Sequence, residues 1–359
     1  MRNGLFTLLS PILLHYYITD RCNCACTFCD IWKNRADERS DARLSDVVKN
    51  LRDAREIGAR FVDFTGGEPL LHEQLPQMLQ EAKRLKYKTS ITTNCLRYTQ
   101  VAADLRGLID FLHFSLDGLS ATKHDAMRGR DSFECVMQSI DRARELGEAP
   151  DLLFTVTSKN IDHLAPLAEF ARTLGLILLV NPAFATSVSR PDIGLLGAIE
   201  RYSSQPFVYV NKAFHHLRRN GGNNTSAPRC RVLDAAIVIS PDNKVVLPCF
   251  HFQQLKIALH ESAEDLGLST LMKIRHSAVW AYYQKEQGRF NFCHGCHLNC
   301  YFDPSFHHKA DEYFWLSFIA KSRYWWNKYI RKRMEKRKFD SRPASAIAAE
   351  IMKKHDDRI

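Results

Sequence analysis

Between residues 12 and 182, short apolar runs rich in β-branched and aromatic residues alternate with longer stretches whose apolar positions recur at helical spacing. A run of the first kind fits a strand buried in a sheet, and a stretch of the second kind fits a helix with one face on that sheet. The pattern predicts strands at 13–19, 61–64, 89–93, 111–116, 152–157 and 177–180, with helices at 44–57, 74–84, 132–146 and 161–174 among them. Such alternation means βαβ units, a parallel sheet and an α/β fold.

Beyond residue 182 the pattern loosens. A Ser/Arg/Pro stretch at 187–191 and a polar stretch at 220–228 read as a boundary. Residues 186–228 are therefore expected to connect a first unit, 1–185, to a small cysteine-rich one, 229–305. In the second unit, strand-like 236–240 and 244–247 flank Pro241-Asp242-Asn243, which predicts a hairpin. Residues 306–359 read as a helical tail, where Phe314, Trp315, Phe318, Ile319, Trp325, Trp326, Tyr329 and Ile330 cover about one side of a helix. At the other end, the apolar run 5–14 resembles the core of a signal peptide but lacks a small-residue cleavage site, so it reads as a lead-in to the first strand. No apolar run reaches the roughly twenty residues a bilayer-spanning helix needs.

A chain of 359 residues suffices for one barrel-sized domain and a smaller one. With 45% hydrophobic and 25% charged residues it has an ordinary globular composition. Charge changes the picture at the tail: of the formal +10, residues 321–338 hold nine basic side chains opposed only by Glu335. An aromatic face edged by Lys and Arg is the pattern of a helix lying in a membrane interface, so 314–338 is expected to offer peripheral membrane contact. The same pattern also fits a terminal helix that packs its aromatic face on the domain. Nucleic acid is the less fitting partner, because the aromatic face is continuous. Of the eleven cysteines, eight fall in two metal-like groups, which favours a reducing, cytoplasmic compartment, with the tail able to hold the protein at the inner face of the membrane.

The first group is Cys22, Cys26 and Cys29, a C-x3-C-x2-C triplet. It offers three thiolates where a closed metal site takes four, and thiolates are the usual ligands of a [4Fe–4S] cluster. Cys24 adds a competing C-x-C-x2-C set, and the reading chosen is Cys22, Cys26 and Cys29, with structural zinc as the plain alternative.

The triplet resembles the signature of the radical S-adenosylmethionine (SAM) superfamily. The resemblance implies that SAM chelates the fourth iron, that an electron from the cluster breaks its sulfonium C–S bond, and that the 5′-deoxyadenosyl radical takes hydrogen from an unactivated C–H. The cofactor carries the difficult step and the protein positions and shields it. It also implies a partial (β/α)6 TIM-type barrel, which the six strand-helix units match, with the site at the C-terminal ends of the strands.

Thr65-Gly66-Gly67-Glu68-Pro69 resembles the family's GGEP element, which implies that the backbone at Gly66 and Gly67 approaches SAM and that the Glu68 carboxylate holds its ammonium or a neighbour. Phe28, just before the last ligand, is implied to lie beside the adenine. Thr92-Thr93-Asn94-Cys95 is similar to the TNG turn, so Asn94 is a cofactor-binding candidate. Cys95 stands where glycine is usual, at a cost of about 1 kcal/mol if that position needs positive φ. Ser115-Leu116-Asp117-Gly118 resembles the SLDG segment, implying SAM contacts from Ser115 and Asp117, and Arg128 is placed to pair with the SAM carboxylate. Thr157 either reaches SAM or is satisfied at its strand end.

The second group, Cys230, Cys249, Cys293, Cys296 and Cys300, has a C-x18-C, long gap, C-x2-C layout. It resembles the Twitch domain, the shortened form of SPASM, and so implies an auxiliary [4Fe–4S] cluster on Cys230, Cys249, Cys293 and Cys296, with Cys300 replacing one or free. A zinc ribbon fits the same thiols. The expected function is a radical SAM enzyme that removes hydrogen from a small substrate, such as a cofactor precursor, tetrapyrrole or isoprenoid lipid, apolar if the tail meets a membrane. An electron donor such as flavodoxin or ferredoxin is implied. The alternatives are a peptide-modifying maturase and a cluster-bearing sensor or scaffold.

Overall fold

The computed structural model describes residues 11–33, 40–183, 192–259, 269–335 and 339–357. The first residues of the lead-in run (5–10), the boundary stretch 187–191 and the basic residues 336–338 lie outside them.

Seven parallel strands lie side by side in chain order: β1 (Leu13–Thr19), β2 (Phe61–Gly66), β3 (Lys88–Thr93), β4 (Phe111–Ser115), β5 (Asp151–Val156), β6 (Leu178–Pro182) and the short β7 (Val208–Tyr209). Helices α1 (Leu44–Glu56), α2 (Leu75–Arg84), α3 (Tyr98–Leu105), α4 (Ala121–Arg128), α5 (Phe133–Glu145) and α6 (Leu164–Leu174) fill the crossovers. Each predicted strand is present to within two residues at its ends. α3 and α4 escape the periodicity because each has only eight residues, too few for a clear apolar stripe. α4 is instead bounded by its caps, with Ser120 accepting from the Lys123 amide and Gly129 in the left-handed region.

Burial alternates along the strands. Val62, Phe64, Ile91, Leu112, Phe114 and Phe154 are buried with Leu51, Leu79, Ile140 and Phe170 of the helices. Each such side chain contributes about 1.5–3 kcal/mol. The intervening positions, among them Asp63, Ser90, Thr92, His113, Thr155 and Asn181, are half-buried and form the opposite, inner face.

β1 is buried on both faces and paired at both edges. On its free side β8 (Ala236–Ser240) runs parallel to it, with Leu13 to Tyr16 opposite Ala236 to Ile239. β9 (Lys244–Leu247) and β10 (Leu255–Ala258) follow antiparallel, giving one open sheet of order β10-β9-β8-β1-β2-β3-β4-β5-β6-β7. The expected hairpin is therefore an edge extension of the barrel sheet.

The tail is two helical pieces rather than one. Helix Glu312–Trp325 continues through a π turn, Trp326–Arg331, into Lys332–Glu335, and a separate helix, Ala344–Asp356, buries Ala344, Ile347, Ala348 and Ile351 beside α5 and α6. The first piece crosses the N-terminal ends of the strands. There Asp151, which opens β5, accepts from Tyr324 Oη at 2.6 Å and from Lys328 Nζ at 2.8 and 2.9 Å. Two of its rings pack on the domain, Tyr313 on Phe306 and Tyr324 on Tyr209, whereas Trp315, Phe318, Ile319, Trp325, Trp326 and Tyr329 are exposed and Phe314 and Ile330 half-buried. Among the described residues no helix is long and apolar enough to cross a membrane.

Candidate active site and cysteine centres

The cysteine loop leaves the C-terminal end of β1 and is held from three sides. Gly67 N donates to Thr19 O at 2.9 Å and Glu68 N to Arg21 O at 2.7 Å, so the turn after β2 grips the incoming chain. At the end of α4, Arg128 O and Met127 O accept the amides of Ala25 and Thr27, each at 3.0 Å. Asn94, past the end of β3, donates Nδ2 to Asn23 Oδ1 at 2.7 Å. A Cβ on Gly66 or Gly67 would run into the carbonyl of Thr19 or Arg21, and Gly66 also has φ +145°. These glycines admit the backbone of the cysteine loop itself.

Glu68 is buried and serves a neighbour. Its carboxylate accepts from Leu70 N at 3.0 Å, Thr93 Oγ1 at 2.8 Å and Asn94 N at 2.8 Å, tying the turn after β2 to the end of β3. Burial pushes its pKa up to about 7 against the pull of these bonds. Cys95 follows with φ 69°, the left-handed conformation in which the family pattern puts glycine.

Arg128 closes α4 and points into the cysteine loop. Its Nε lies 2.7 Å from Asp117 Oδ2, its Nη1 is 3.7 Å from Cys26 Sγ, and its guanidinium carbon stands 5.5 Å from the centre of the Phe28 ring. Asp117 is wholly buried just past the end of β4, and its Oδ1 accepts from Thr155 N at 2.8 Å. Burial pushes this carboxyl up while Arg128 and the Thr155 amide pull it down. His124, also on α4, accepts from Asp117 N at 3.1 Å, and burial lowers its pKa to about 3, so it is a neutral acceptor.

The thiols of the loop differ in character. A hydrogen bond from Cys24 lowers Cys26 to about 6, against burial and with help from Arg128, whereas burial raises Cys22 to about 11 and also raises Cys29. Cys24 is held as the donor in that bond, which raises its own pKa. Ser115 is buried at the end of β4. Thr157 is satisfied locally, donating to Asn160 Oδ1 at 3.1 Å and accepting from Lys159 N at 3.2 Å.

At the second centre Cys230, Cys249, Cys293 and Cys296 line one cavity with Asn223, Phe252, Tyr301 and Phe302. Cys300 is not among the lining residues; it sits on the helix Asn299–Ser305 with its carbonyl 3.3 Å from His15 Nε2. Burial raises all four lining thiols, Cys249 to about 12 and Cys293 to about 11, and for Cys230, Cys249 and Cys293 the neighbouring thiols add to it. Cysteines crowded in this way ionise together only when a cation shares the site. Among the described residues, no three Cys, His, Asp or Glu side chains converge closely enough to hold a single metal ion.

Asn223 organises this centre, although it lies in the polar stretch read as a boundary. Its Nδ2 donates to Gly288 O at 2.7 Å and Cys293 O at 3.1 Å, and its Oδ1 accepts from Arg229 N at 3.0 Å and Cys230 N at 3.3 Å. Its backbone exchanges bonds with Cys296 O at 2.9 Å and Gly295 N at 3.0 Å. Asn223 thus ties Cys230 to the Cys293–Cys296 segment, through its side chain to Cys230 and Cys293 and through its backbone to Cys296. No local spacing marks it, since its partners lie up to 73 residues away, from 223 to 296.

The family model of the Radical SAM superfamily matches residues 16–171, the segment that carries the cysteine triplet and its surrounding turns. GTP 3′,8-cyclase of Clostridium acetobutylicum is 32% identical over 155 residues, 42% of this chain and 49% of that protein. Mycofactocin maturase MftC of Mycolicibacterium smegmatis is 27% identical over 177 residues, 48% of this chain and 44% of that protein. The chain spans about half the length of these curated relatives. Among solved structures, Streptococcus suis SuiB bound to precursor peptide SuiA superposes with a TM-score of 0.62 at 20% identity, over 75% of this chain and 65% of that one. AnSMEcpe with bound AdoMet superposes with a TM-score of 0.60 at 15% identity, over 95% of this chain and 99% of that one. The likeness to these two structures is one of fold.

Proposed function

We propose that this chain, a radical SAM enzyme through the domain at residues 16–171, holds a [4Fe–4S] cluster on Cys22, Cys26 and Cys29 and removes hydrogen from an unactivated C–H of a polar small molecule. The observation that carries the reading is the way the triplet is presented. The loop is clamped at the C-terminal ends of the strands by Gly67, Glu68, Asn94 and the end of α4, with the buried Arg128 charge beside Cys26. When bound, such a cluster with SAM on its open iron supplies reductive cleavage of the sulfonium and removal of a hydrogen atom from carbon.

The chain's own residues position that chemistry. Phe28 and Ser115 are the side chains assigned to touch SAM. Gly66, Gly67, Glu68 and Asn94 act through the loop they hold. Asp117 pairs with Arg128, whose guanidinium places positive charge next to one ligand and would pair with the SAM carboxylate. Cys230, Cys249, Cys293 and Cys296 are assigned to an auxiliary [4Fe–4S] cluster. The convergence of these four cysteines on one cavity, beside a radical SAM domain, supports the cluster. An electron donor of the flavodoxin or ferredoxin type is required to reduce the first centre.

The inner face supports a polar substrate. Asp63, Ser90, Thr92, His113, Thr155 and Asn181 lie along it, and His15 Nδ1 is 3.3 Å from Asp63 Oδ2. The aromatic tail, the feature that points to a lipid or tetrapyrrole, closes on Asp151 at the N-terminal end of β5, the end opposite the cysteine loop. A peptide substrate is the second reading, favoured by superposition over nearly the whole chain on anSMEcpe, which has been solved with bound AdoMet and peptides.

The test is anaerobic reconstitution with iron and sulfide, then dithionite and SAM. The expected product is 5′-deoxyadenosine, slow without substrate and lost in Cys26→Ala. Intact SAM after full reduction contradicts the assignment.

A further inference from the structure

Helix Glu312–Trp325 and the π turn after it leave much of their aromatic surface uncovered. Their protein-facing side is mixed: Ser317, Ala320 and Asn327 are buried, Tyr313 stacks on Phe306, Asn211 Nδ2 lies 3.2 Å from Ser317 Oγ, Tyr324 and Lys328 close on Asp151, and Lys321 pairs with Asp303 at 3.0 Å. The other side carries Trp315, Phe318, Ile319, Trp325, Trp326 and Tyr329, each between 45% and 55% exposed. At 100° per residue the four on the α-helix, Trp315, Phe318, Ile319 and Trp325, fall within one continuous stripe, with Trp326 and Tyr329 following on the π turn, whereas a surface helix normally turns such a stripe toward the core. A contiguous exposed apolar patch marks an interaction site.

The surrounding charge selects the partner. Arg323 and Arg333 are exposed along this piece, and Lys332 stands between Arg331 and Arg333. Two copies pressed face to face would bring these like charges together. A phosphate backbone would meet them only at the margin of an apolar stripe. An anionic bilayer satisfies both features, because indole and phenol rings settle at the headgroup level and Lys or Arg beside them meets acidic headgroups.

We propose that this face docks in plane on an anionic lipid membrane. The N-terminal ends of the strands then face the bilayer and the cysteine loop, at their other ends, faces away. The contact is an anchor separate from the site, and it stands whether or not the proposed reaction does.

The test is co-sedimentation of the full chain with vesicles of phosphatidylcholine alone and of phosphatidylcholine with phosphatidylglycerol. Binding is expected to the mixed vesicles, weakened by salt, and reduced about tenfold or more in the combined variant Trp315→Ser, Phe318→Ser, Trp325→Ser, Trp326→Ser. The variant's circular dichroism checks its fold. If that variant does not fold, the surface change Arg323→Glu with Arg333→Glu carries the test, with the same expected loss. Failure of the intact chain to sediment, equal binding to neutral vesicles, or a solution dimer that the aromatic variant dissociates would each overturn the proposal.

Discussion

Tyr17 stacks on Phe250 with ring centroids 3.6 Å apart and planes 5° from parallel. Tyr17 lies on β1, five positions before Cys22, and Phe250 directly follows Cys249. The stack therefore joins the strand that delivers the first cysteine group to a ligand candidate of the second. β1 and β8 are also paired in parallel, so the strand leading to the first group and the hairpin leading to Cys249 belong to one sheet.

Phe250→Ala should remove this link. Loss of a buried aromatic costs about 3–5 kcal/mol. Urea denaturation measures it; a cost below about 1 kcal/mol would mean that the stack contributes little to joining the two units.

Arg128 and Asp117 form a buried pair, so removing one partner strands the other. Arg128→Gln should cost about 3–5 kcal/mol, and adding Asp117→Asn should recover part of that. Purified yield, iron content and denaturation midpoints read the difference. A double variant as unstable as the single one contradicts the pairing.

Asn223→Ala should release the second centre and spare the first. Iron per chain is expected to fall from about eight to about four, while 5′-deoxyadenosine formation without substrate persists. Unchanged iron content would show that the cysteine segments hold their places without this amide.

The parallel strands were legible because each is a compact apolar run, and the cysteine triplet because its ligands are adjacent in sequence. The roles of Gly66, Gly67 and Glu68 were only half legible. Their motif puts them at the end of β2, and the contacts they make there are to Thr19, Arg21, Leu70, Thr93 and Asn94, which fold next to them only through the β1–β2–β3 pairing. Asn223 was not legible, and the tail helix only as two alternatives. A polar loop residue gives no sign of distant partners, and periodicity finds an aromatic stripe without saying which way it faces.

His124 makes acid stability specific. Its folded pKa, about 3, lies below its ordinary 6.5. Between these values the unfolded chain binds the extra proton, so stability falls as pH falls through that window, by at most about 1.4 kcal/mol per pH unit from this group. His124→Asn keeps an acceptor for Asp117 N and should flatten that part of the pH profile in thermal unfolding. An unchanged acid limb would assign it to other groups.

The proposed chemistry requires three thiols that leave one iron open to SAM. The most direct measurement is electron paramagnetic resonance of the reduced, reconstituted protein with and without SAM, using Cys230→Ala with Cys249→Ala to silence the second centre. The account predicts a [4Fe–4S] signal that SAM shifts, retained in Cys24→Ala and absent in Cys22→Ala. A signal that SAM leaves unchanged, or one lost with Cys24 and kept without Cys22, would contradict it.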